Sequence, residues 1–339
     1  MINSGMRFIS GGRGADDAMD GLLIHKLMNL VLPPIIFITL CITIPPYLLL
    51  KFFYFILGYF SMEEDMAGKV VLVTGASSGI GEQLVYEYAR RGARLVLVAR
   101  RKKLLEVVAE KARGFGSTDV LIVCADVSKV HDCKRFIEES INHFGRLDHL
   151  VNNAGITSVC PLEEATDILN FAPVMDVNFW GSIYATHFAI PHLRKSKGRI
   201  VASKAALINF YDSLRVELDP AIAITIASPG VTESEMTQGK HLGKEGVTQV
   251  DGKMMNHMID TFLLAGAFPV ISAELCAKTI VNGACKGKRS ITEPSYFGVF
   301  YLCKVLCPEI AHWIFWCINS TKPVGSSSKE DIATGNKQS

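Results

Sequence analysis

The sequence VVLVTGASSGIG, residues Val70–Gly81, joins an apolar run of strand length to a glycine-rich turn that opens a helix at Ile80. Gly75, Gly79 and Gly81 have the spacing of a dinucleotide-binding loop, in which the first glycine permits a tight turn and the second lets the backbone approach a pyrophosphate. The third lets the helix pack closely on the strand. Phosphates bind well at a helix N-terminus, because unpaired N–H groups and the helix dipole favour negative charge there. The stretch therefore predicts a nucleotide-binding turn, with an ordinary strand-to-helix turn as the alternative.

The composition is that of a large folded domain with additional apolar sequence. The 339 residues are 49% apolar, so they can bury one large α/β core, and the mean hydropathy is positive, at +0.26. The formal net charge is only +2, so no overall field draws the chain to nucleic acid, and we predict no nucleic-acid partner. The nine cysteines include no CxxC pair, which argues against a disulfide framework and against a metal site.

The first 62 residues contain a polar segment and then a long apolar one. Residues 1–20 are polar and glycine-rich, and we predict that they are disordered. Residues 21–62 are predicted to anchor the chain in a membrane or lipid droplet, because the 24 residues Leu27–Leu50 carry no charge and a spanning helix needs about 20. Two proline pairs, Pro33-Pro34 and Pro45-Pro46, interrupt this segment. The anchor is therefore either a single span or a bent hairpin that enters and leaves an oil-filled monolayer by the same face.

After an acidic spacer, strands and helices alternate in the order of a doubly wound α/β fold with a parallel sheet, a Rossmann fold. The predicted strands are Lys69–Thr74, Leu95–Ala99, Val120–Cys124, His149–Val151, a fifth that begins at Gly198, and Ala223–Ser228. The predicted helices are Ile80–Arg91, Lys103–Ala112, Val130–Phe144, Asp176–Leu193 and one from Lys204 to about Glu217. Right-handed crossovers make such strands parallel and place a ligand crevice at their carboxyl ends. We assign residues 66–292 to this domain, 293–318 to an aromatic C-terminal extension and 319–339 to a disordered tail.

The residues after the second predicted strand indicate which dinucleotide the turn would bind. An NAD-binding fold has an acidic residue about 20 positions past the loop, where it holds the ribose 2′-hydroxyl. This chain has Ala99 there, followed by Arg100 and Arg101. Guanidinium groups suit a 2′-phosphate, so the predicted cofactor is NADP(H), with a solvated basic helix start as the alternative. Asp126 and Val127, after the third strand, lie where a carboxylate can hydrogen-bond the adenine amine.

Four motifs in the order of one family support this interpretation. They are Thr74–Gly81, Asn152–Gly155, Val177–Gly181 and Pro229–Gly230. Together they resemble the short-chain dehydrogenase/reductase family over residues 66 to about 290. With the proline-interrupted anchor, Glu293-Pro294-Ser295 and the aromatic C-terminal stretch, the chain is similar to the plant 11β-hydroxysteroid dehydrogenase-like group of that family, the steroleosins.

The resemblance implies NADP(H)-dependent oxidation of a hydroxyl, or reduction of a ketone, on a steroid- or sterol-like substrate. It also implies attachment to the lipid droplet (oil body) or the endoplasmic reticulum membrane, with the catalytic domain facing the cytosol. A homodimer is implied through the helix that starts at Lys204. Residues 231–270 are predicted to form a flexible substrate loop with some helix, and the resemblance implies that this loop is a lid.

The resemblance also assigns roles to individual residues. Lys204 matches the lysine that lowers the pKa of a catalytic tyrosine, and Asn178 matches the asparagine that supports a water relay. Ser234 stands where the family places a hydroxyl near the nicotinamide amide, although an isolated serine is more often a helix cap. The implied cofactor-binding residues are Gly75, Ser77, Ser78, Gly79, Ile80, Gly81, Arg100, Arg101, Asp126, Val127, Asn153, Ala154, Gly155, Lys204, Pro229, Gly230 and Ser234.

The chain departs from the family where the fifth strand meets the next helix. Four residues before Lys204 stands Ile200, where the family has its catalytic tyrosine. The serine-bearing strand end, the following loop and the tyrosine turn are all missing between the fifth strand and Lys204, about 18 residues by comparison with the family. Tyr184 and Tyr211 are on helices at unsuitable positions. Because the loss of positioned acid–base catalysis typically costs about 10²–10⁴ in rate, we predict severely reduced or no turnover.

Two other interpretations are open from the sequence. The chain could be a non-catalytic coat or scaffold protein of lipid droplets that retains nucleotide binding. The abrupt junction at Val201-Ala202 is also what an exon-skipped or mispredicted product would show. Sequencing transcripts across codons 195 to 210 separates this case from the others, because reads that restore the segment would exclude a natural pseudoenzyme.

Overall fold

The computed structural model describes residues 15–59, 63–158, 166–203, 207–218, 220–243, 245–250, 252, 270–298, 306–310 and 312–313. The chain divides into two compact units, Met1–Met62 and Glu63–Ser339. Among the described residues, the first unit contains one long helix and the second contains a parallel sheet with helices on both faces. The tail predicted to be disordered, and most of the predicted C-terminal extension, lie outside the described residues.

The first unit is built on α1, Ala15–Tyr59, a helix of 45 residues. It runs through Pro33-Pro34 and Pro45-Pro46 without a break, so the structure shows a single helix rather than a hairpin. Its first six residues belong to the segment predicted to be disordered. Of the helices in the described part of the chain, one segment, Leu27–Phe53, is long and apolar enough to cross a membrane, by length and composition, with a hydropathy of 2.3.

The second unit is organised around a parallel sheet of seven strands. The strands of this unit are β1 Val70–Thr74, β2 Arg94–Ala99, β3 Val120–Cys124, β4 His149–Asn152, β5 Arg199–Ala202, β6 Ala223–Pro229, β7 Lys240–Leu242, β8 Thr248–Val250 and β9 Ser290–Glu293. The sheet has the order β3-β2-β1-β4-β5-β6-β9, and β7 and β8 form a separate antiparallel pair. The direction of winding reverses between β1 and β4, and such sheets bind ligands outside the carboxyl ends of the strands at that point.

Helices cover both faces of the sheet and bury two apolar clusters. The helices of the second unit are α2 Gly79–Arg90, α3 Lys102–Gly114, α4 Val130–Phe144, α5 Ala172–Met175, α6 Gly181–Ser196, α7 Ile208–Leu218 and α8 Ala273–Cys285. One cluster joins α2, α3 and α8 to the sheet, and the other joins α4, α6 and α7 to it. Val71 and Val73 of β1 enter the first cluster, whereas Val70 and Leu72 enter the second, because successive side chains of a strand point to opposite faces.

The predicted fold class is confirmed, and most predicted strands and helices end within one or two residues of the observed ones. The predicted helix Asp176–Leu193 differs, because it opens as a π-helix, Asp176–Trp180, before α6 begins. The flexible loop predicted over residues 231–270 contains β7 and β8 in its described part. The predictions omit β9 because only Ile291 of its four residues is buried, so it lacks the apolar run of a central strand.

Candidate functional site

A crevice of about 580 Å³ opens at the carboxyl ends of β1, β2, β3, β4 and β6. Every predicted cofactor-binding residue within the described chain lines it: Gly75, Ser77, Ser78, Gly79, Ile80, Gly81, Arg100, Arg101, Asp126, Val127, Asn153, Ala154, Gly155, Pro229, Gly230 and Ser234. Lys204 lies outside the described residues. The structure therefore brings together residues that follow five different strands of the sheet, β1, β2, β3, β4 and β6.

The glycine-rich turn has backbone geometry that favours glycine. Gly75 and Gly79 have φ angles of 68° and 59°, in the left-handed region that most side chains avoid. At Gly81 the restriction is steric, because a Cβ atom would collide with the Gly75 carbonyl oxygen and lie 2.5 Å from Asn153 Nδ2. The Asn153 Nδ2 group donates to the Thr74 carbonyl at 3.1 Å, which ties the turn to the end of β4. The turn is thus held close to α2 and β4, with its backbone in the crevice wall.

The two arginines after β2 have different surroundings. Arg101 donates from Nη2 to the Ser78 Oγ at 2.7 Å and to the Ser77 Oγ at 3.0 Å. Its other terminal nitrogen, Nη1, donates to Glu235 Oε1 at 2.6 Å. The Arg100 side chain is 65% exposed. Arg101 is therefore fixed against the glycine-rich turn, whereas most of the Arg100 side chain is in solvent.

Asp126 holds a carboxylate at the edge of the crevice. Its Oδ1 accepts hydrogen bonds from the Ser128 backbone N–H at 3.0 Å and from the Ser128 Oγ at 2.9 Å. Its Oδ2 lies 3.9 Å from Arg100 Nη1. Val127 is buried beside Gly181, where a Cβ atom would lie 2.9 Å from Val127 Cγ2. The residue pair after β3 thus presents one fixed carboxylate next to an arginine.

Asn178 lies in the π-helix Asp176–Trp180, and backbone groups satisfy its side chain. Its Oδ1 accepts from the Ile156 N–H at 2.9 Å, and its Nδ2 donates to the Ile156 carbonyl at 2.8 Å. π-helical turns inside α-helices are frequent at functional positions. Here the turn places the amide against the loop after β4. Because Lys204 lies outside the described residues, the structure places one of the two predicted catalytic residues and not the other.

No tyrosine is among the described residues that line the crevice. Tyr211 is fully buried, and its hydroxyl is hydrogen-bonded to Asn152 Nδ2 and Thr186 Oγ1, each at 2.9 Å. Burial raises the pKa of Tyr211 to about 12. Tyr184 stacks on Trp180, with ring centroids 5.9 Å apart. Neither tyrosine is therefore placed to exchange a proton with a ligand in the crevice.

The loops after β4 and β6 are hydrogen-bonded to each other, although β5 lies between their strands in the sheet. The Leu242 N–H donates to the Thr157 carbonyl at 2.8 Å, and the Ser158 Oγ donates to the Leu242 carbonyl at 3.1 Å. The strand that these loops flank, β5, is the one after which the sequence predicts a missing segment by comparison with the family. Direct contact between the two loops shows that no part of the described chain after β5 separates them there.

The crevice also contains residues that sequence reasoning missed. Most belong to the loop after β6: Val231, Thr232, Glu235, Met236, Thr237, Lys240 and His241. Glu235 and Arg101 are 134 positions apart in the chain, and no motif in the sequence links them. Their contact arises only when the loops at the carboxyl edge of the sheet fold towards one another.

The chain is similar to known dehydrogenases in family, sequence and fold. The short chain dehydrogenase family model matches residues 69–202. An "11-beta-hydroxysteroid dehydrogenase A" of Sesamum indicum is 48% identical, with 91% of each chain covered. An "11-beta-hydroxysteroid dehydrogenase 1A" of Arabidopsis thaliana is 48% identical, covering 92% of this chain and 91% of the relative. A crystal structure of a short-chain type dehydrogenase/reductase from Mycobacterium marinum matches with a TM-score of 0.56 at 23% identity, covering 67% of this chain and 94% of that one, which shows the fold alone.

The same comparisons also give the extent of the matched regions. The family match ends at Ala202, the last residue of β5. The alignment with the sesame relative extends over 326 positions but includes 91% of the 339 residues of this chain, about 308. About 18 positions of that alignment therefore have no counterpart here.

Proposed function

The chain belongs to the short-chain dehydrogenase family of oxidoreductases, and from that premise we propose that it binds NADP(H) in the crevice but has lost most of its turnover. The proposed reaction is hydride transfer between the nicotinamide and a hydroxyl or ketone carbon of a steroid- or sterol-like molecule. The printed names of the relatives, 11-beta-hydroxysteroid dehydrogenases, support that substrate class. A homodimer through the helix that begins near Lys204 stays a prediction.

The observation that carries the cofactor proposal is the convergence of three hydrogen-bond donors beside the glycine-rich turn. The Ser77 and Ser78 hydroxyls each lie within hydrogen-bond distance of the Arg101 guanidinium in the crevice wall. Ala99 ends β2 without a carboxylate that would hold a ribose 2′-hydroxyl. Charged and polar donors of this kind match the oxygens of a 2′-phosphate. The residues present therefore fit NADP(H) better than NAD(H).

The proposed loss of turnover follows from the missing proton donor. A bound nicotinamide supplies or accepts the hydride, so the protein itself must exchange a proton at the substrate oxygen. The family uses a tyrosine for this step, and Ile200, a buried residue of β5, stands at its position relative to Lys204. Asn178, the residue proposed for the water relay, is held in place by its hydrogen bonds to the Ile156 backbone. The same deficit favours the alternative of a non-catalytic lipid-droplet coat or scaffold protein that retains nucleotide binding.

The anchoring part of the proposal rests on α1. The side chains of Leu27–Phe53 are exposed along the segment. The hydroxyls of Thr39 and Thr43 donate to helix carbonyls at 2.8 Å, so these polar groups are satisfied without water. We propose attachment to a lipid droplet or to the endoplasmic reticulum membrane, with the second unit in the cytosol. Flotation of the full chain with isolated lipid droplets or membranes is expected, and recovery of the chain in the aqueous fraction would contradict the proposal.

Arg101→Gln is expected to weaken NADP⁺ binding by about 10- to 100-fold, because a charge-assisted hydrogen bond contributes about 1.5–3 kcal/mol. NAD⁺ carries no 2′-phosphate, so its dissociation constant should change by less than about 3-fold. The measurement is titration calorimetry of the full chain in detergent with each nucleotide.

Arg94→Gln is the matched control. Arg94 is the first residue of β2, so it lies at the end of that strand opposite to Arg101. The substitution removes the same charge and should leave both dissociation constants unchanged. An Arg101 variant that loses affinity for NAD⁺ and NADP⁺ equally would show that Arg101 supports the fold of the site rather than reading the 2′-phosphate.

A further inference from the structure

The guanidinium that is proposed to hold a phosphate is paired with a carboxylate of the protein itself. Glu235 Oε1 accepts a hydrogen bond from Arg101 Nη1 at 2.6 Å. Its second oxygen, Oε2, accepts from Lys240 Nζ at 2.7 Å. The pair of Arg101 and Lys240 thus clamps the Glu235 carboxylate inside the crevice.

The Glu235 carboxylate is charged at neutral pH. Burial alone would raise its pKa, but the hydrogen bonds and charges of Arg101 and Lys240 outweigh that effect and hold the pKa below its ordinary value. A 2′-phosphate brings about 1.5 to 2 negative charges of its own. Like charges that share one guanidinium repel each other, so the carboxylate and the phosphate compete for Arg101.

Glu235 is part of a compact turn in the loop after β6. The Lys240 N–H donates to the Glu235 carbonyl at 2.9 Å, and the Gln238 N–H donates to the Ser234 carbonyl at 3.0 Å. The Ser234 N–H donates to the Thr237 Oγ1 at 2.8 Å. The ion pair of Glu235 with Arg101 is a contact that joins this turn to the glycine-rich turn, so the hydrogen bonds within the turn open more often when the ion pair breaks.

We propose that Glu235 is an internal competitor that the 2′-phosphate of NADP(H) displaces from Arg101, and that this exchange releases residues 234–242 from the glycine-rich turn. The inference rests on the proposed NADP(H) function, and it adds that Glu235 regulates the binding of NADP(H). Binding of the 2′-phosphate is thereby coupled to the loop after β6, which lines the crevice. The cost of breaking the ion pair also lowers the affinity for NADP(H) and leaves that for NAD(H) unaffected.

Glu235→Gln tests the competition, because it keeps the size of the side chain and removes its charge. In titration calorimetry of the full chain in detergent, the variant is expected to bind NADP⁺ about 3- to 10-fold more tightly than wild type. Its affinity for NAD⁺ should stay within about 2-fold, because NAD⁺ does not need Arg101. Glu233→Gln is the matched control, since Glu233 is exposed in the same loop and the substitution removes the same charge.

Hydrogen exchange of the wild-type chain provides a second readout that needs no variant. The probe 2′,5′-ADP, which carries the 2′-phosphate without the nicotinamide, is expected to speed amide exchange over residues 234–242. The probe 5′-AMP should leave that exchange unchanged.

The outcomes separate the two proposals. If wild type binds NADP⁺ but Glu235→Gln does not bind it more tightly than Glu233→Gln, the competition is wrong and the cofactor proposal stands. The same conclusion follows if 2′,5′-ADP leaves exchange over residues 234–242 unchanged or slows it. If neither wild type nor Glu235→Gln binds NADP⁺, the cofactor proposal fails and the inference fails with it.

Discussion

Insertion of the missing segment from the sesame relative between Val201 and Ala202 is expected to raise the rate of NADP⁺-dependent steroid oxidation by about 10²–10⁴-fold or more. By comparison with the family the segment is about 18 residues long, and it must end so that its tyrosine stands four residues before Lys204. That tyrosine supplies the proton-transferring hydroxyl that the described lining of the crevice lacks, and the lysine lowers its pKa. The measurement is the initial rate of NADPH formation by the full chain in detergent with an 11β-hydroxysteroid.

The control is the same insertion with phenylalanine in place of its tyrosine. It restores the length and the loop but not the hydroxyl, so it should bind NADP⁺ and keep no more than about 1% of the gain. Equal rates for the two insertions would show that the chain is limited by something other than its proton donor. A wild-type rate already equal to that of the sesame relative would refute the proposed deficit outright.

Gly81→Ala is expected to weaken NADP⁺ binding by about 100-fold or more. The new Cβ atom would collide with the Gly75 carbonyl and approach Asn153 Nδ2. Both groups are anchored, because Gly75 N–H donates to the Val98 carbonyl at 2.8 Å and Asn153 is bonded to Thr74. Overpacking of this kind costs about 1–3 kcal/mol or more, and 100-fold corresponds to about 2.7 kcal/mol. The helix must therefore move away from the turn that is proposed to hold the phosphates.

Gly114→Ala is the matched control for Gly81→Ala. Gly114 also lies in a helix, at the end of α3, and a Cβ atom there meets nothing within 4 Å. Its NADP⁺ affinity should equal that of wild type, and its stability should be unchanged or slightly higher. Normal NADP⁺ binding by a folded Gly81→Ala variant, measured by titration calorimetry and circular dichroism, would mean that the glycine-rich turn is not the phosphate site.

The fold was largely predictable because its central strands are simple patterns. β1 is an uninterrupted run of buried residues that ends in a glycine-rich turn, and this combination is typical of a parallel strand followed by a helix. The π-helix Asp176–Trp180 was not predictable, because its residues have the same apolar spacing as the α-helix that follows. β9 was not predicted, because it has too few buried residues to give the apolar run of a central strand. Sequence patterns thus predict the helices and strands whose apolar side chains are buried at regular spacing. They miss elements whose conformation depends on contacts with distant parts of the chain.

The residues of the candidate site likewise include some that the sequence predicts and some that it does not. Residues that follow strands, such as Arg101 and Asp126, were found because the doubly wound topology brings strand ends to one crevice. Glu235 and Lys240 were missed, since their contact with Arg101 depends on the path of a loop that joins two distant parts of the chain. The absence of the catalytic tyrosine was predicted from the family pattern. That pattern has a tyrosine four residues before the lysine, and this chain has Ile200 at that position before Lys204.

Binding of NADP(H) without turnover is what distinguishes this chain, as proposed, from an active member of its family. The most direct test follows both properties in one sample of the full wild-type chain in detergent. NADPH is first titrated to saturation by its fluorescence, and an 11-oxosteroid is then added while NADPH oxidation is recorded. We expect saturable binding, and oxidation at no more than about 1% of the rate of the sesame relative. Steroid-dependent oxidation at a rate comparable with that relative, or the absence of saturable NADPH binding, would contradict the proposal.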